Sequence, residues 1–190
     1  MRKNLVLDLD NTLISAEALT EFPFHQPGMR EKAMHFPIHD MDGYYIVFER
    51  PGLQLFLDYA FQNYDVTIWT AASKDYALFI VDRIILQNDP ERKLENIFFA
   101  HHCDLSRRRF DGNNKDLRLL WETFRIGSYD PQNTIIVDDL DEVRQIQPEN
   151  AVRIHPFEIL DSGSEHDRHL EELRTTLRRM FAALEKNPSE

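Results

Sequence analysis

Three short apolar runs in this chain end at acidic or hydroxyl residues, and amphipathic helical patterns separate them. The runs lead into Asp8, Thr70 and Asp138. Strand-like runs that alternate with helical patterns predict a parallel β-sheet with helices on both faces. Because such sheets place their sites at the carboxyl ends of the strands, we expect these polar residues to meet at one edge of the sheet.

Four stretches repeat apolar residues at the three- and four-residue spacing of an amphipathic helix. They cover residues 53–64, 77–85, 117–124 and 170–184. The last stretch predicts a closing helix at about residues 165–185. With 190 residues the chain is long enough for one domain with a sizeable core. We therefore expect a single domain over residues 1–190, with its core at about residues 4–160.

A small β-hairpin is expected beside the cleft. The turn signal Asp40-Met-Asp-Gly43 lies between two short strand-like runs, whereas residues 15–35 have mixed polarity and predict a loop. No long insertion suitable for a large cap is present in the sequence. The expected fold is therefore an α/β sheet with a hairpin insertion and an open cleft.

Asp8 and Asp10 place two carboxylates where the first strand meets a turn. One carboxylate could attack a substrate while the other handles the proton. Two acids held this close repel each other unless a cation or a lysine offsets their charge, or unless one is protonated. The pair therefore implies a metal site. Acidic pairs are also common on solvated turns, so the other polar residues must decide.

The other polar residues also lie at the ends of apolar runs or at the start of a helical pattern. Thr70 ends the second apolar run, and Asp138 with Asp139 ends the third. Lys115 opens a helical pattern, where the helix dipole disfavours a cation. A lysine at that point indicates a fixed anionic partner more than a helix cap.

The order of these residues resembles the signature of the haloacid dehalogenase superfamily of phosphotransferases. That signature is a D-x-D-x-T motif, here Asp8-x-Asp10-x-Thr12, followed by a threonine, a lysine and an acidic pair. Four further segments narrow the resemblance. They are Arg50-Pro-Gly, Thr70-Ala-Ala-Ser-Lys-Asp-Tyr-Ala, Lys115-Asp-Leu and Pro148-Glu-Asn-Ala. This set is similar to the small phosphatases that act on the C-terminal domain of RNA polymerase II and share the FCP1 homology domain. The resemblance covers about residues 4–160.

The resemblance implies a phosphatase that works through an aspartyl-phosphate. Asp8 is then the nucleophile, and Asp10 is the general acid and base. Thr70, Ala71 and Lys115 are expected to bind the phosphoryl group. Phosphoryl transfer needs this combination of an in-line nucleophile and charge neutralisation.

The expected cofactor is Mg²⁺, which prefers oxygen ligands. By resemblance its ligands are the Asp8 carboxylate, the Asp10 backbone carbonyl and one residue of the pair Asp138 and Asp139. Asp139 is the favoured ligand, and Asp138 is the expected partner of Lys115. The related family often has Asn at the second position, so Asp139 adds negative charge. Asn11 departs from the Glu that is common there, and the stretch between Arg107 and Lys115 is shorter than usual.

Arg107 and Arg109 have two open interpretations. Together with Arg108 they form a basic patch that could bind a phosphorylated side chain, or they are solvated charges at the edge of a hairpin. The neighbouring His101-His-Cys-Asp104 offers metal-ligand residue types. Adjacent strand residues point to opposite faces and no second cluster has zinc spacing, so an incidental role is expected.

Composition limits the partners. The net charge of −11 argues against direct nucleic-acid binding, which depends on Lys and Arg. Cys103 is the only cysteine, so no internal disulfide can form, and no apolar run approaches membrane-spanning length. The first strand leaves no room for a signal peptide ahead of it. We expect an intracellular chain, in the cytoplasm or nucleus, that contacts neither nucleic acid nor membrane.

The substrate prediction is phosphoserine or phosphothreonine in a protein, such as a tail like the C-terminal domain of RNA polymerase II. The open cleft favours a macromolecular substrate over a small one. Two alternatives stay open. The chain could be a small-metabolite or nucleotide phosphatase of the same superfamily, or a binding module that keeps the fold without turnover.

Overall fold

A computed structural model describes residues 3–186, and within that range eight strands form two sheets. In chain order the strands are β1 (Asn4–Leu7), β2 (Ile14–Ala18), β3 (Ile38–Met41), β4 (Tyr45–Glu49), β5 (Asp65–Trp69), β6 (Leu94–Phe98), β7 (Thr134–Asp138) and β8 (Ala151–Arg153). The main sheet is parallel throughout and has the order β6-β5-β1-β7-β8. The predicted α/β fold class is confirmed.

Six α-helices connect or close these strands within residues 3–186. They are α1 (Met29–Ala33), α2 (Leu53–Asn63), α3 (Lys74–Ile80), α4 (Ala100–Arg109), α5 (Asp141–Ile146) and α6 (His169–Leu184). Helix α3 continues as a π-helical turn over Val81–Leu86, and a second π-helical turn covers Leu119–Thr123. No helix in this range is both long and apolar enough to cross a membrane.

The main sheet has a core on each face, because successive strand side chains point to opposite sides. Leu5 and Leu7 of β1 pack into the cluster that contains residues of α2 and α6. Val6 packs into the second cluster, which contains residues of α4 and α5. All three side chains are fully buried. This double coverage explains why the strands read as continuous apolar runs.

The chain order places a crevice beside β1. From β1 the chain leaves first to β5 on one side and later to β7 on the other. Parallel sheets bind ligands at such a switch point, outside the carboxyl ends of the strands. Asp8 directly follows β1, Thr70 directly follows β5, and Asp138 ends β7. The expected meeting of these residues at one sheet edge is thus set by the topology.

The second sheet is antiparallel, with the order β2-β4-β3. The predicted hairpin is confirmed as β3 and β4. The prediction of a loop over residues 15–35 is wrong in part, because Ile14–Ala18 is a strand and Met29–Ala33 is a helix. Pairing with β4, distant in sequence, orders the polar strand β2.

Residues 100–109 form helix α4, so the expectation of a strand around His101 and of a hairpin edge at Arg107 is wrong. The helix begins after Phe99, whose backbone N–H donates to Nδ1 of His102 (3.1 Å). Cys103 and Ser106 face inward from α4, whereas Arg107 lies in its exposed last turn. The apolar spacing in α4 is too sparse to predict this helix from sequence.

Candidate active site

Asp8 lies at the centre of the crevice and is almost fully buried. Its backbone N–H donates to the Val137 carbonyl (3.0 Å), which fixes the start of the loop against β7. The Thr12 hydroxyl donates to Oδ2 of Asp8 (3.0 Å). Lys115 Nζ donates to Oδ1 (2.5 Å). Both carboxylate oxygens are therefore held in place, as a positioned nucleophile requires.

Lys115 reaches the crevice from a turn and not from a helix. Its backbone φ is 50°, and the following π-helical turn begins only at Leu119. The expected helix start at Lys115 is therefore wrong, but its anionic partners are present. Nζ donates to Oδ2 of Asp138 (2.7 Å) as well as to Asp8. Burial lowers the pKa of Lys115, but these two carboxylates outweigh burial and raise it above the ordinary value.

Asp8, Asp138 and Asp139 form a buried acidic cluster, with one carboxylate oxygen of each within 4.8 Å of the others. Burial, followed by the charge of Asp8, raises the pKa of both Asp138 and Asp139. One ammonium cannot balance three carboxylates, so a cation is favoured there. The donors are all hard oxygen atoms, which suit Mg²⁺ and not a thiolate-seeking metal. The residues present therefore fit the expected metal.

Asp10 lies two residues further along the same loop. Tyr76, in the first half of α3, donates its hydroxyl to Oδ1 of Asp10 (2.5 Å). Burial raises the pKa of Asp10 to about 6, although the Tyr76 hydrogen bond opposes that rise. Tyr45 of β4 packs edge-on against the Tyr76 ring, with centroids 5.8 Å apart. A carboxyl group with this pKa can exchange a proton near neutral pH.

Thr70 and Ala71 lie at the same sheet edge, beside Asp8. Thr70 is buried, and its backbone N–H donates to the Phe98 carbonyl (2.9 Å). Its hydroxyl oxygen accepts a hydrogen bond from the Ala72 backbone (3.0 Å), which leaves the hydroxyl hydrogen available. Ala71 is exposed in the turn that leads into α3. The placement of both residues is compatible with phosphoryl binding.

Arg107 and Arg109 lie in the last turn of α4, where both are exposed. Arg107 donates to Asp104 Oδ1 (2.5 Å) and to Asn114 Oδ1 (3.4 Å). The second contact places Arg107 beside the turn that carries Lys115. The hairpin-edge interpretation is excluded because the segment is helical.

Two contacts of the site were not identified from the sequence. One is the bond between Tyr76 and Asp10. The other involves Arg50, whose fully buried guanidinium donates to the Thr12 carbonyl (2.9 Å) and pairs with Asp167 through two bonds of 2.9 and 2.8 Å. Both residues belong to segments that carried the family resemblance, but no periodicity in the sequence indicates their partners.

The model of the NLI interacting factor-like phosphatases matches residues 3–186. This chain belongs to that family. The family is one of phosphatases, which hydrolyse phosphoric monoesters. The chain is 43% identical over 179 residues to the CTD phosphatase-like protein 355R of Invertebrate iridescent virus 6, with 93% of this chain and 98% of that protein covered.

Other family relatives are similar over most of this chain. The CTD phosphatase-like protein 355R of Invertebrate iridescent virus 3 is 40% identical over 180 residues, with 93% of this chain and 95% of that protein covered. The ubiquitin-like domain-containing CTD phosphatase of Arabidopsis thaliana is 28% identical over 176 residues, which cover 90% of this chain and 44% of that protein.

The fold is shared with the solved structure of Fcp1, an RNA polymerase II CTD phosphatase. The two superpose with a TM-score of 0.66 at 20% identity, over 98% of this chain and 64% of Fcp1. This chain thus spans just under two thirds of that structure. At this identity the likeness shows that the two chains share a fold.

Proposed function

We propose that this chain is a magnesium-dependent protein phosphatase that acts through an aspartyl-phosphate on Asp8. The main observation behind the proposal is that the buried Asp8 carboxylate is fixed by two hydrogen bonds, one from the Lys115 ammonium and one from the Thr12 hydroxyl. A carboxylate in that position can attack a phosphorus atom. We also propose that residues 1–190 act as a single phosphatase domain.

In the first step an Asp8 oxygen forms a bond to phosphorus while the bond from phosphorus to the serine or threonine oxygen breaks. Lys115 neutralises charge on the equatorial oxygens, and the Thr70 hydroxyl donates a hydrogen bond to one of them. Asp10 gives its proton to the departing alkoxide. The pKa of about 6 for Asp10 supports this role, because the group must be protonated in one step and ionised in the next.

In the second step water attacks the phosphorus of the aspartyl-phosphate. Asp10, now ionised, takes a proton from that water, and the bond between Asp8 and phosphorus breaks. Inorganic phosphate and the free Asp8 carboxylate are released. Both steps use the same proton carrier, so loss of the Asp10 carboxylate should slow both.

The metal would be held by the carboxylates of Asp8 and Asp139 and by the backbone carbonyl of Asp10. Bound Mg²⁺ supplies charge neutralisation for the phosphoryl group. Asp138 is assigned to Lys115, because its Oδ2 accepts the second hydrogen bond from Nζ. This division leaves Asp139 as the acid without a lysine partner.

The proposed substrate is phosphoserine or phosphothreonine in a protein, such as a tail like the C-terminal domain of RNA polymerase II. Within residues 3–186, the insertion between β1 and α2 holds only a short helix and three short strands, which leaves room for a macromolecule. The names of the viral and plant relatives, which include the term CTD phosphatase, also support a protein substrate. Arg107 and Arg109 are proposed to bind groups that flank the phosphorylated residue.

A phosphatase assay tests the proposal in two parts. Hydrolysis of a phosphoserine peptide is expected with Mg²⁺, and it should be lost after chelation and in an Asp8→Asn variant. A panel of small phosphate esters then tests the substrate class. Strong preference for a metabolite would support the alternative substrate, and no hydrolysis under any metal condition would support a binding module.

A further inference from the structure

Lys115 has a backbone conformation that its own side chain does not favour. Its φ of 50° lies in the left-handed region, which costs a non-glycine residue free energy. Such a conformation persists only where the surroundings impose it. The adjoining Asn113–Leu117 turn must therefore be held from outside, and the position of the Lys115 ammonium depends on that hold.

Gln147, which lies outside this turn, supplies part of this restraint. It follows α5, the helix that begins just after the acidic pair Asp138 and Asp139. Its side-chain Nε2 donates to the Lys115 carbonyl (3.0 Å), and its Oε1 accepts the backbone N–H of Leu117 (2.9 Å). One planar amide thus grips the backbone on both sides of Asp116. Two bonds from one rigid group fix position and orientation together.

The turn is also held from the opposite side. Ser106 of α4 is fully buried, and its hydroxyl accepts the Asp116 backbone N–H (2.9 Å) and donates to the Asn113 carbonyl (2.8 Å). Ser106 does not bond to Lys115 itself. Gln147 is therefore the group that fixes the backbone carbonyl of the lysine.

We propose that Gln147 is a positioning residue for Lys115, and that its amide sets the backbone geometry that delivers the ammonium to Asp8 and Asp138. The assignment of Lys115 to charge neutralisation rests on the proposed phosphatase function. The mechanical link between Gln147 and Lys115 does not rest on it. None of the described hydrogen bonds of Gln147 reaches the reacting atoms or the proposed metal ligands, so Gln147 acts through the backbone on both sides of Asp116.

Two variants test this role because they remove different hydrogen bonds of the Gln147 amide. Gln147→Ala removes both hydrogen bonds. Gln147→Glu keeps the size and the acceptor but loses the donor to the Lys115 carbonyl. The matched control is Gln145→Ala, at an exposed position of α5 two residues before Gln147, where the amide bonds only to Asp141 among the described contacts. If one Gln147 variant fails to fold, the other still decides.

The first readout is the side-chain ammonium signal of Lys115 in proton–nitrogen NMR spectra, assigned with a Lys115→Arg variant. Burial and two carboxylate partners slow its proton exchange, which makes the signal observable. Both Gln147 variants should shift or broaden it, and Gln145→Ala should not. This readout does not depend on turnover, so it decides the link even if the chain proves not to be a phosphatase.

The second readout is turnover of a phosphoserine peptide. Misplacing a catalytic group by a fraction of an ångström to one ångström lowers kcat by roughly tenfold to a hundredfold. We expect such a loss in kcat for both Gln147 variants, with KM changed less than about twofold. An unchanged Lys115 signal in folded Gln147 variants would overturn the proposal, whether or not kcat falls. Equal effects of Gln145→Ala would overturn it as well.

Discussion

Tyr76 holds the proposed proton carrier through a single bond to Asp10 (2.5 Å). Removing that hydroxyl in Tyr76→Phe leaves the ring in place but frees the Asp10 carboxyl group to rotate. We expect kcat for a phosphoserine peptide to fall roughly tenfold, part of the hundredfold or more that general acid–base catalysis contributes. Steady-state kinetics of the purified variant measure this loss.

Two substrates with different leaving groups distinguish a loss of proton transfer by Asp10 from a general disturbance of the site. In p-nitrophenyl phosphate the leaving group is a stable phenolate that needs little protonation, so Tyr76→Phe should lower kcat/KM, which covers only the steps up to release of the leaving group, much less for this substrate than for the peptide. Tyr44→Phe is the matched control, because Tyr44 is a largely exposed tyrosine beside the hairpin turn. An equal loss of kcat/KM on both substrates would contradict a role in holding the proton carrier for the leaving group.

Asp138 and Asp139 are adjacent in sequence but have different partners. Asp138 accepts a hydrogen bond from Lys115 (2.7 Å), whereas among residues 3–186 the Asp139 side chain has no described hydrogen bond and lies in the acidic cluster. We expect Asp139→Asn to retain turnover but to raise the Mg²⁺ concentration for half-maximal activity by roughly tenfold or more. We expect Asp138→Asn to lower kcat at saturating Mg²⁺. Magnesium titrations of activity in the two variants measure both effects.

Each variant is the experimental control for the other, because each removes one carboxylate from the same cluster and changes the net charge by the same amount. A change that reflected total charge alone would move both magnesium titrations by the same amount. If Asp138→Asn shifted the titration more than Asp139→Asn, the assignment of the metal ligand would have to be reversed.

At the scale of elements, one ion pair ties the segment before α6 to the turn after β4. Arg50 is fully buried, and its guanidinium bonds to Asp167, to the Thr12 carbonyl and to the His155 carbonyl (2.8 Å). Although burial favours the neutral acid, Arg50 and His169 hold the pKa of Asp167 below its ordinary value. Asp167→Asn leaves a buried cation short of a partner, so we expect a loss of about 3 kcal/mol in the free energy of unfolding.

The pH dependence of this loss follows from the direction of the pKa shift. Above the unfolded-state pKa of about 3.9, Asp167 is ionised in both states and its contribution is complete. As the pH falls through the lower native pKa, that contribution is lost. In urea unfolding, the difference in the free energy of unfolding between Asp167→Asn and the unmodified chain should therefore be largest at pH 7 and should shrink as the pH is lowered. Asp161→Asn, an exposed acid in the same segment, should show no such difference.

Elements with a complete local signal were predicted correctly. Strands β5 and β7 are buried on both faces along most of their length, and both are rich in apolar and β-branched residues. The helical pattern over residues 77–85 lies in α3 and its π-helical continuation, and Ser73 caps this helix, since its Oγ accepts the backbone N–H of Tyr76 (3.3 Å). Part of the candidate site could be placed for a related reason, because Asp8, Thr70 and Asp138 lie where strands end at one edge of the sheet.

The elements that were missed depend on distant partners. Strand β2 contains Ser15 and Glu17, and it becomes a strand because β4 pairs with it along its whole length. Helix α4 has few apolar residues and is set by its packing on the second core cluster. The Arg50–Asp167 pair joins residues 117 positions apart. No local pattern encodes such a contact.

At the scale of the whole molecule, the negative charge is concentrated as well as large. The net charge is −11, and three of the acids are buried together at the centre of the sheet edge. Self-repulsion of a strongly charged chain destabilises the compact state, and any salt relieves part of it. A metal that binds the acidic cluster should stabilise the fold beyond that general effect.

Magnesium should therefore raise the thermal midpoint more than sodium chloride at the same ionic strength. At a concentration about a hundredfold above Kd, binding only to the folded state adds about 2.7 kcal/mol. For a chain of this size that corresponds to a rise in Tm of roughly 5 to 10 °C. Asp139→Asn should lose most of the magnesium-specific rise and keep the sodium chloride effect, because it removes a proposed ligand from a chain that stays acidic. Equal rises with the two salts in the unmodified chain would contradict a specific metal site, since screening alone would then account for the stabilisation.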